Sequence, residues 1–288
     1  MGGAALISVI VTTYNREDAL DAALRALSRQ SDNDFEIVIA DDGSRPQTRA
    51  LIESWRARLA RPLRHVRHEH RGFRGGEIRN RAILASAGEL CIFLDGDCLP
   101  RADFIAAHRR LAEPGWFVTG NRILLSRQRT EAVLAQGESA EQWCYPTLTQ
   151  ERFRGGINRL APTLHLPLGP LRKLTARGWQ GAQTCNLAVA RSDLDRIDGF
   201  DCNYAGWGLE DSDLVVRLLR AGIRRKDGRF ATGVLHLWHP PNDRSQLAAN
   251  QKRLDEIMSG SRTRALRGLS VLQAEMAAPA AQNSAVAR

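Results

Sequence analysis

Two carboxylates one residue apart, Asp95 and Asp97, stand at the end of the apolar run Cys91-Ile92-Phe93-Leu94, with Gly96 between them and Pro100 beyond. Such a pair suits a divalent cation shared with a diphosphate, because Mg2+ keeps substrate phosphates and waters among its oxygen ligands. The same spacing recurs at Asp32/Asp34, Asp193/Asp195 and Asp211/Asp213, so spacing alone selects nothing. Only Asp95 and Asp97 follow an uninterrupted buried-strand pattern and precede a turn, the position at which a parallel sheet opens to its ligand crevice. A solvated turn after a strand is the competing reading of the pair taken alone.

Other groups along the chain offer complementary chemistry. Glu210-Asp211-Ser212-Asp213 follows Tyr204-Ala205-Gly206-Trp207-Gly208-Leu209 and opens a helix pattern of Leu214, Val215, Leu218 and Leu219. Acids in a first helical turn are good capping chemistry, while glycines beside them let backbone approach a ligand. His236 and His239 stand three apart near these acids, which suits metal ligation. The segment from His70 to Asn80 is glycine-rich and basic ahead of a helix; it suits a diphosphate through backbone amides and guanidiniums, or it is a solvated loop. Trp143, Tyr145 and Phe153 suit stacking on a sugar ring or local packing, with packing preferred.

The elements that must position these residues follow from hydrophobic periodicity. Leu6 to Val11 and Phe35 to Ala40 are near-continuous apolar, β-branched runs, the pattern of strands covered on both faces. The first ends in Thr12-Thr13-Tyr14-Asn15 and the second in Asp41-Asp42-Gly43-Ser44. Between them Leu20, Ala23, Leu24 and Leu27 repeat at helical spacing over about 17–29, making a βαβ unit. Pro46 opens a helix that Pro62 closes, a weaker strand spans 63–68, and a helix continues through Ala87. After Pro100 come a helix over about 103–111 and strands at 116–118 and 123–125. The segment 126–177 is expected as loop with poorly defined helices covering a substrate site. Ala182 to Ala190 and Phe230 to Trp238 are expected to return to the sheet as strands, and a last amphipathic helix is expected near 246–258. The domain expectation is one unit over 1–260: a nucleotide half over about 6–125, an acceptor half over about 126–242 and a closing helix over about 243–259. A partly disordered tail over 261–288 follows, with 277–288 the most clearly so.

Composition bounds the partners. The 288-residue chain carries a net charge of +9, nearly all from arginine, since Lys173, Lys226 and Lys252 are its only lysines. That balance favours anionic partners, among them phosphate-bearing substrates and the anionic inner face of a membrane. No helix-turn-helix, zinc-finger or RNA-binding aromatic signature supports a nucleic-acid role, so none is expected. Five scattered cysteines without a C-x-x-C pair indicate structural thiols. The absence of an apolar run of membrane-spanning length or of a leader pattern leads to the expectation of a cytoplasmic location.

These motifs together resemble a family 2 glycosyltransferase of nucleotide-sugar type. Thr12-Thr13-Tyr14-Asn15, Asp41-Asp42-Gly43-Ser44, Arg79-Asn80 and Asp95-Gly96-Asp97 occur in the family's order over residues 6–240. Gly206-Trp207-Gly208-Leu209-Glu210-Asp211 and His236-x-x-His239-Pro240 are similar to the galactosyl- and N-acetylgalactosaminyl-transferring branch, which includes chondroitin-synthase-like domains. The resemblance implies an α/β protein of the GT-A fold, a Rossmann-like mixed central sheet flanked by helices, here with a C-terminal helical extension. It implies that Asp42 holds the nucleotide base, with Thr12 and Tyr14 lining that pocket. Arg79 would face the nucleotide or its diphosphate, Asp95 the ribose, and Asp97 a metal. His239, or His236 in its place, would be a second ligand to Mn2+ or Mg2+, with imidazole favouring Mn2+. Asp211 would be the general base of an inverting displacement, Glu210 would bind substrate hydroxyls, and Trp207, Gly208 and Asn186 would contact sugar or acceptor.

The implied function is transfer of a hexose or N-acetylhexosamine, carried on UDP, to a glycan or lipid-linked glycan of the bacterial envelope, such as lipopolysaccharide, with peripheral contact to the inner membrane. Alternatives are another donor such as dTDP-rhamnose, a nucleotidyltransferase, and a non-catalytic protein binding nucleotide-sugar or nucleic acid. The nucleotidyltransferase would not need the Gly-Trp-Gly block, and intact Asp97, Glu210, Asp211 and His239 argue against loss of catalysis.

Overall fold

A computed structural model describes residues 5–277 of the chain. Its first half alternates strand and helix: β1 (Ile7–Thr13), α1 (Glu17–Ser28), β2 (Phe35–Asp41), α2 (Pro46–Arg56), β3 (Leu63–Arg67), α3 (Gly75–Ala85) and β4 (Leu90–Asp95). Then come β5 (Cys98–Pro100), α4 (Phe104–Leu111), β6 (Trp116–Thr119), β7 (Arg122–Leu124), α5 (Arg127–Gln136) and α6 (Tyr145–Phe153). The second half contains β8 (Asn186–Ala190), α7 (Arg191–Ile197), α8 (Glu210–Arg220), β9 (Arg224–Asp227), β10 (Val234–His236), α9 (Leu247–Ser259) and α10 (Leu269–Ala277).

Seven strands form the central sheet in the order β3-β2-β1-β4-β8-β6-β9, and only β8 runs against the others. Alternate side chains of the apolar strands point to opposite faces, so each run feeds two cores. Ile7, Val9 and Val11 pack with Leu20, Leu24 and Phe104 on one face; Ile10, Val38 and Phe93 pack with Ile78, Leu194 and Leu214 on the other. Each such side chain, fully buried, contributes roughly 1.5–3 kcal/mol. The mixed sheet flanked by helices is the α/β architecture expected from the sequence.

Register sets the site. Thr12 of β1 lies opposite Asp95 of β4, and Thr13 lies opposite Asp41 of β2, so three strands end side by side. The loops are tied at those ends: Gly96 N–H donates to Thr12 C=O at 2.8 Å and Asp42 N–H to Thr13 C=O at 3.0 Å.

Several boundaries and pairings differ from expectation. The strand read from Phe230 to Trp238 is only Val234–His236, and it joins a separate three-stranded sheet, β5-β10-β7, instead of the central one. The central sheet gains β9, whose sequence Arg-Arg-Lys-Asp has no apolar pattern because it pairs on one side only, with β6. The strand read from Ala182 begins at Asn186. Segment 126–177 contains two regular helices, α5 and α6; Trp143 is buried, whereas Tyr145 and Phe153 are exposed, against the expectation of packing. Part of the expected tail is ordered: α10 packs on α3 through buried Leu269 and Leu272. The disorder expected for 278–288 falls outside the described residues. Among the described residues no helix is long and apolar enough to cross a membrane.

Candidate active site

A cleft of about 500 Å3 opens at the carboxyl ends of β1, β2 and β4, and it gathers most of the residues singled out from the sequence. Thr12, Tyr14, Asp42, Arg79, Asp95 and Asp97 line one side; Trp207, Gly208, Glu210, Asp211 and His239 close it from the other. These groups lie far apart in the chain, and the sheet brings them together.

Of the four Asp-x-Asp spacings, three are engaged elsewhere or lie outside the crevice as pairs. Asp32 is held by Arg109 at 2.6 Å near the start of β2, and Asp193 and Asp195 belong to α7. Asp213 is fully buried against Arg217 at 2.7 Å, so only its neighbour Asp211 reaches the cleft.

Asp95 and Asp97 have different surroundings. Asp95 faces Arg79 Nη2 at 3.4 Å, while Asp97 sits between two imidazoles, with His236 Nε2 at 3.5 Å and His239 Nε2 at 3.7 Å. The second sheet delivers those imidazoles: Leu237 N–H donates to Asp97 C=O at 2.9 Å, which docks the end of β10 beside the acid. His239 lines the cleft and His236 lies behind it, buried. Burial pushes the Asp97 carboxyl up, with the two imidazoles opposing and Asp95 reinforcing the rise, and burial depresses His236. One carboxylate and two imidazoles fit a divalent cation, and the imidazoles suit a first-row transition ion such as Mn2+ better than Mg2+. Donor atoms of Asp97, Cys98 and His236 lie within 4.8 Å of one another.

Arg79, expected to face the nucleotide or its diphosphate, lines the cleft with its side chain nearly enclosed. Its Nε donates to Thr12 Oγ1 at 3.1 Å, Nη1 to Glu210 Oε1 at 3.1 Å, and Nη2 points at Asp95. Burial opposes its charge, but Asp95, Glu210 and Asp211 outweigh that and keep it firmly protonated. The guanidinium therefore clamps β1, β4 and the first turn of α8 together. Glu210, expected on substrate hydroxyls, is correspondingly buried and paired with Arg79.

Asp211 is left as the available acid in that turn. Burial, then the neighbouring charge of Glu210, push its carboxyl up to about 7, against the pull of Arg79 and the Ser212 N–H. The Ser212 N–H donates to Asp211 Oδ1 at 2.7 Å and fixes its orientation. A carboxylate poised near neutrality in a cleft has the properties of a general base.

The glycines flanking Trp207 also shape the loop. Gly206 and Gly208 have φ of +69° and +107°, which only glycine adopts readily, and a Cβ on Gly206 would lie 2.7 Å from the Gln246 side chain. They let the loop turn tightly beneath α9, with Gly208 on the cleft wall. Asn250 of α9 donates to the carbonyls of Ala205 and Gly208, both at 3.0 Å. Trp207 itself lines the cleft with Arg244 over its ring at 5.2 Å.

Asn186 does not belong to the site. It is buried at the start of β8, accepts from His108 at 3.1 Å and donates to the carbonyls of Asn121 and Thr232. Its amide is spent joining β8 to neighbouring loops. Asp42 is 2% exposed and takes hydrogen bonds from His68 and the Arg74 N–H. Tyr14 stacks on His70 with ring centroids 4.6 Å apart. Neither His68 nor His70 had been singled out as an individual site residue; no periodicity or spacing marks them. Arg16 and Arg122, also unmarked, line the cleft and add positive charge.

The sequence model described as Glycosyl transferase family 2 matches residues 8–166, and one described as N-terminal domain of galactosyltransferase matches residues 174–239. Validoxylamine A glucosyltransferase of Streptomyces hygroscopicus subsp. limoneus is 30% identical over 251 residues, which cover 80% of this chain and 51% of that protein. The chain thus spans about half the length of that relative. Chondroitin synthase of Pasteurella multocida (strain Pm70) is 25% identical over 241 residues, covering 78% of this chain and 24% of that protein. Among solved structures, a mannosyltransferase from Pyrobaculum calidifontis in complex with GDP-Man and Mn2+ superposes with a TM-score of 0.57 at 20% identity, covering 93% of this chain and 68% of that one. Staphylococcus aureus TarS 1-349 in complex with UDP-GlcNAc superposes with a TM-score of 0.58 at 16% identity, covering 88% and 66%. At these identities the two superpositions establish the fold alone.

Proposed function

Because the chain belongs to glycosyltransferase family 2 and has the GT-A fold, we propose that it transfers a sugar from a nucleotide-sugar donor to an acceptor hydroxyl with inversion. The observation that carries this reading is the pairing, across one cleft, of a carboxylate poised near neutrality, Asp211, with an acid set between two imidazoles, Asp97. The first is suited to take a proton and the second to help hold a diphosphate through a cation.

In this reading Asp42 and Tyr14 receive the nucleotide base and Asp95 the ribose. Asp97 and His239, with His236 behind them, hold Mn2+ or Mg2+. Bound there, the ion supplies Lewis-acid neutralisation of charge on the departing nucleoside diphosphate. Arg79 keeps Asp95 and Glu210 in place. Asp211 accepts the proton of the acceptor hydroxyl as its oxygen bonds to the anomeric carbon and the bond from that carbon to the diphosphate breaks. Glu210, beside Asp211, is spent on Arg79 and is not free to form a covalent intermediate, which supports a single displacement. Trp207 is suited to the face of a sugar ring at the acceptor side.

The relatives' names support hexose or N-acetylhexosamine donors, with UDP as the first carrier to test. The net charge of +9 supports an acceptor or surface that is anionic, such as a lipid-linked envelope glycan at the inner face of the cytoplasmic membrane. The test is a panel of nucleotide sugars with and without Mn2+, read by thermal shift and by release of nucleoside diphosphate. Metal-dependent stabilisation and turnover with one of them is expected; no stabilisation by any would refute the proposal.

A further inference from the structure

Behind Asp42 lies a chain of buried charge that the proposed reaction does not use. Asp42 Oδ1 accepts from His68 Nε2 at 2.5 Å, and Oδ2 accepts from the Arg74 backbone N–H at 3.0 Å. His68 follows β3 and is buried, and its Nδ1 stands 3.7 Å from Glu77 Oε1 in the first turn of α3. Glu77 is in turn surrounded by Arg74 at 3.1 Å, Arg81 at 3.0 Å and Arg267 at 3.6 Å. A line therefore runs from a helix anchored by three arginines, through an imidazole, to a carboxylate on the cleft wall. Burial disfavours charge on His68, yet its contacts with Asp42 and Glu77 outweigh burial and hold its pKa above the ordinary value.

We propose that His68 is a positioning residue for base recognition: its hydrogen bond orients Asp42 as a hydrogen-bond acceptor, so that the site takes nucleoside diphosphates whose base presents a ring N–H. This rests on the reading that Asp42 meets the base. A carboxylate has about four lone-pair sites, so two protein donors leave it able to accept from a ligand. Uracil, thymine and guanine offer a ring N–H to such an acceptor. Cytosine and adenine present a ring nitrogen lone pair at the corresponding edge, which would leave two acceptors opposed without a proton between them. Discrimination therefore depends on Asp42 being held with its oxygens as acceptors, and the hydrogen bond from His68 Nε2 supplies that hold. Neutral imidazole can make the same donation, so the positioning depends on the ring's presence more than on its charge.

The test measures UDP and CDP binding with Mn2+ by calorimetry for the intact chain and for His68→Phe, His68→Gln, His68→Asn and Asp42→Asn, each checked for native circular dichroism. The wild-type chain is expected to favour UDP over CDP by at least about tenfold, and a ratio near one overturns the proposal. His68→Phe should weaken UDP about tenfold and narrow the ratio, and the donor KM should rise much more than kcat falls. His68→Gln, whose amide can donate to Asp42, should recover most of the discrimination. Should His68→Phe not fold, His68→Asn, polar but too short to reach, must show the same narrowing. If Asp42→Asn erases discrimination while the His68 variants keep it, His68 has no such role. If Asp42→Asn also leaves it intact, the underlying assignment of Asp42 has failed instead.

Discussion

Replacing Asp211 by Asn is expected to remove most turnover and at the same time to stabilise the fold above neutral pH. The carboxyl titrates at about 7 in the folded chain against an ordinary value of 3.8. Between those values the folded state holds a proton that the unfolded chain has lost, so stability falls as pH rises through this window, and the loss is complete above the folded value. Three pKa units set a ceiling of ~4 kcal/mol. Asp211 keeps part of its surface in the open cleft, where water screens it, so a realised cost of ~1–3 kcal/mol is expected. Asn keeps the shape without the charge. Denaturant unfolding at pH 8 should therefore show Asp211→Asn more stable than wild type by about that amount, and the gap should narrow as pH falls through 7 and close only below about pH 4. Nucleoside diphosphate release should fall by about 10²–10⁴-fold, the usual contribution of a positioned base. The wild-type kcat/KM should in turn rise about tenfold from pH 6 to pH 8, as the ionised fraction climbs from about a tenth to about nine tenths. Full turnover in Asp211→Asn, with no stability gain at pH 8, would refute both the role and the electrostatic reasoning behind it.

Three further outcomes follow from the geometry. Asp97→Ala removes the acid between the two imidazoles and should abolish Mn2+-dependent nucleotide binding, whereas Asp95→Ala, which faces Arg79, should weaken it less; titration with UDP and Mn2+ would expose the reverse order. Asn186→Ala strands the carbonyls of Asn121 and Thr232 and should cost ~2–3 kcal/mol of stability while leaving nucleotide affinity unchanged, as measured by unfolding and calorimetry. Leu272→Ala opens a cavity between α10 and the rest of the fold and should cost ~2–4 kcal/mol, an effect that a disordered tail would not show in the same unfolding assay.

The sequence by itself determined the elements whose burial is local and periodic. Ile7 to Thr13 and Phe35 to Asp41 are covered on both faces, so Val9 to Val11 and Ile37 to Ala40 are apolar without alternation and each strand is legible as a run. The turn residues at their ends, Thr12, Asp42, Asp95 and Asp97, are legible for the same reason: a parallel sheet exposes its carboxyl ends to one crevice. Tertiary structure alone decided what depends on partners distant in the chain. Arg224 to Asp227 forms an edge strand because β6 offers it a free ladder, which no hydrophobic pattern announces. Asn186, which the family resemblance implies as a sugar or acceptor contact, is a buried tie, because its neighbours are carbonyls from two other loops. That Arg79 also clamps Glu210 and Asp95 is settled only by the two acids arriving beside it in the fold. The poise of Asp211 and the anchoring of Asp42 by His68 are of this kind too. Both arise from removing water around charges and setting other charges beside them, and only the assembled fold fixes those distances and that burial.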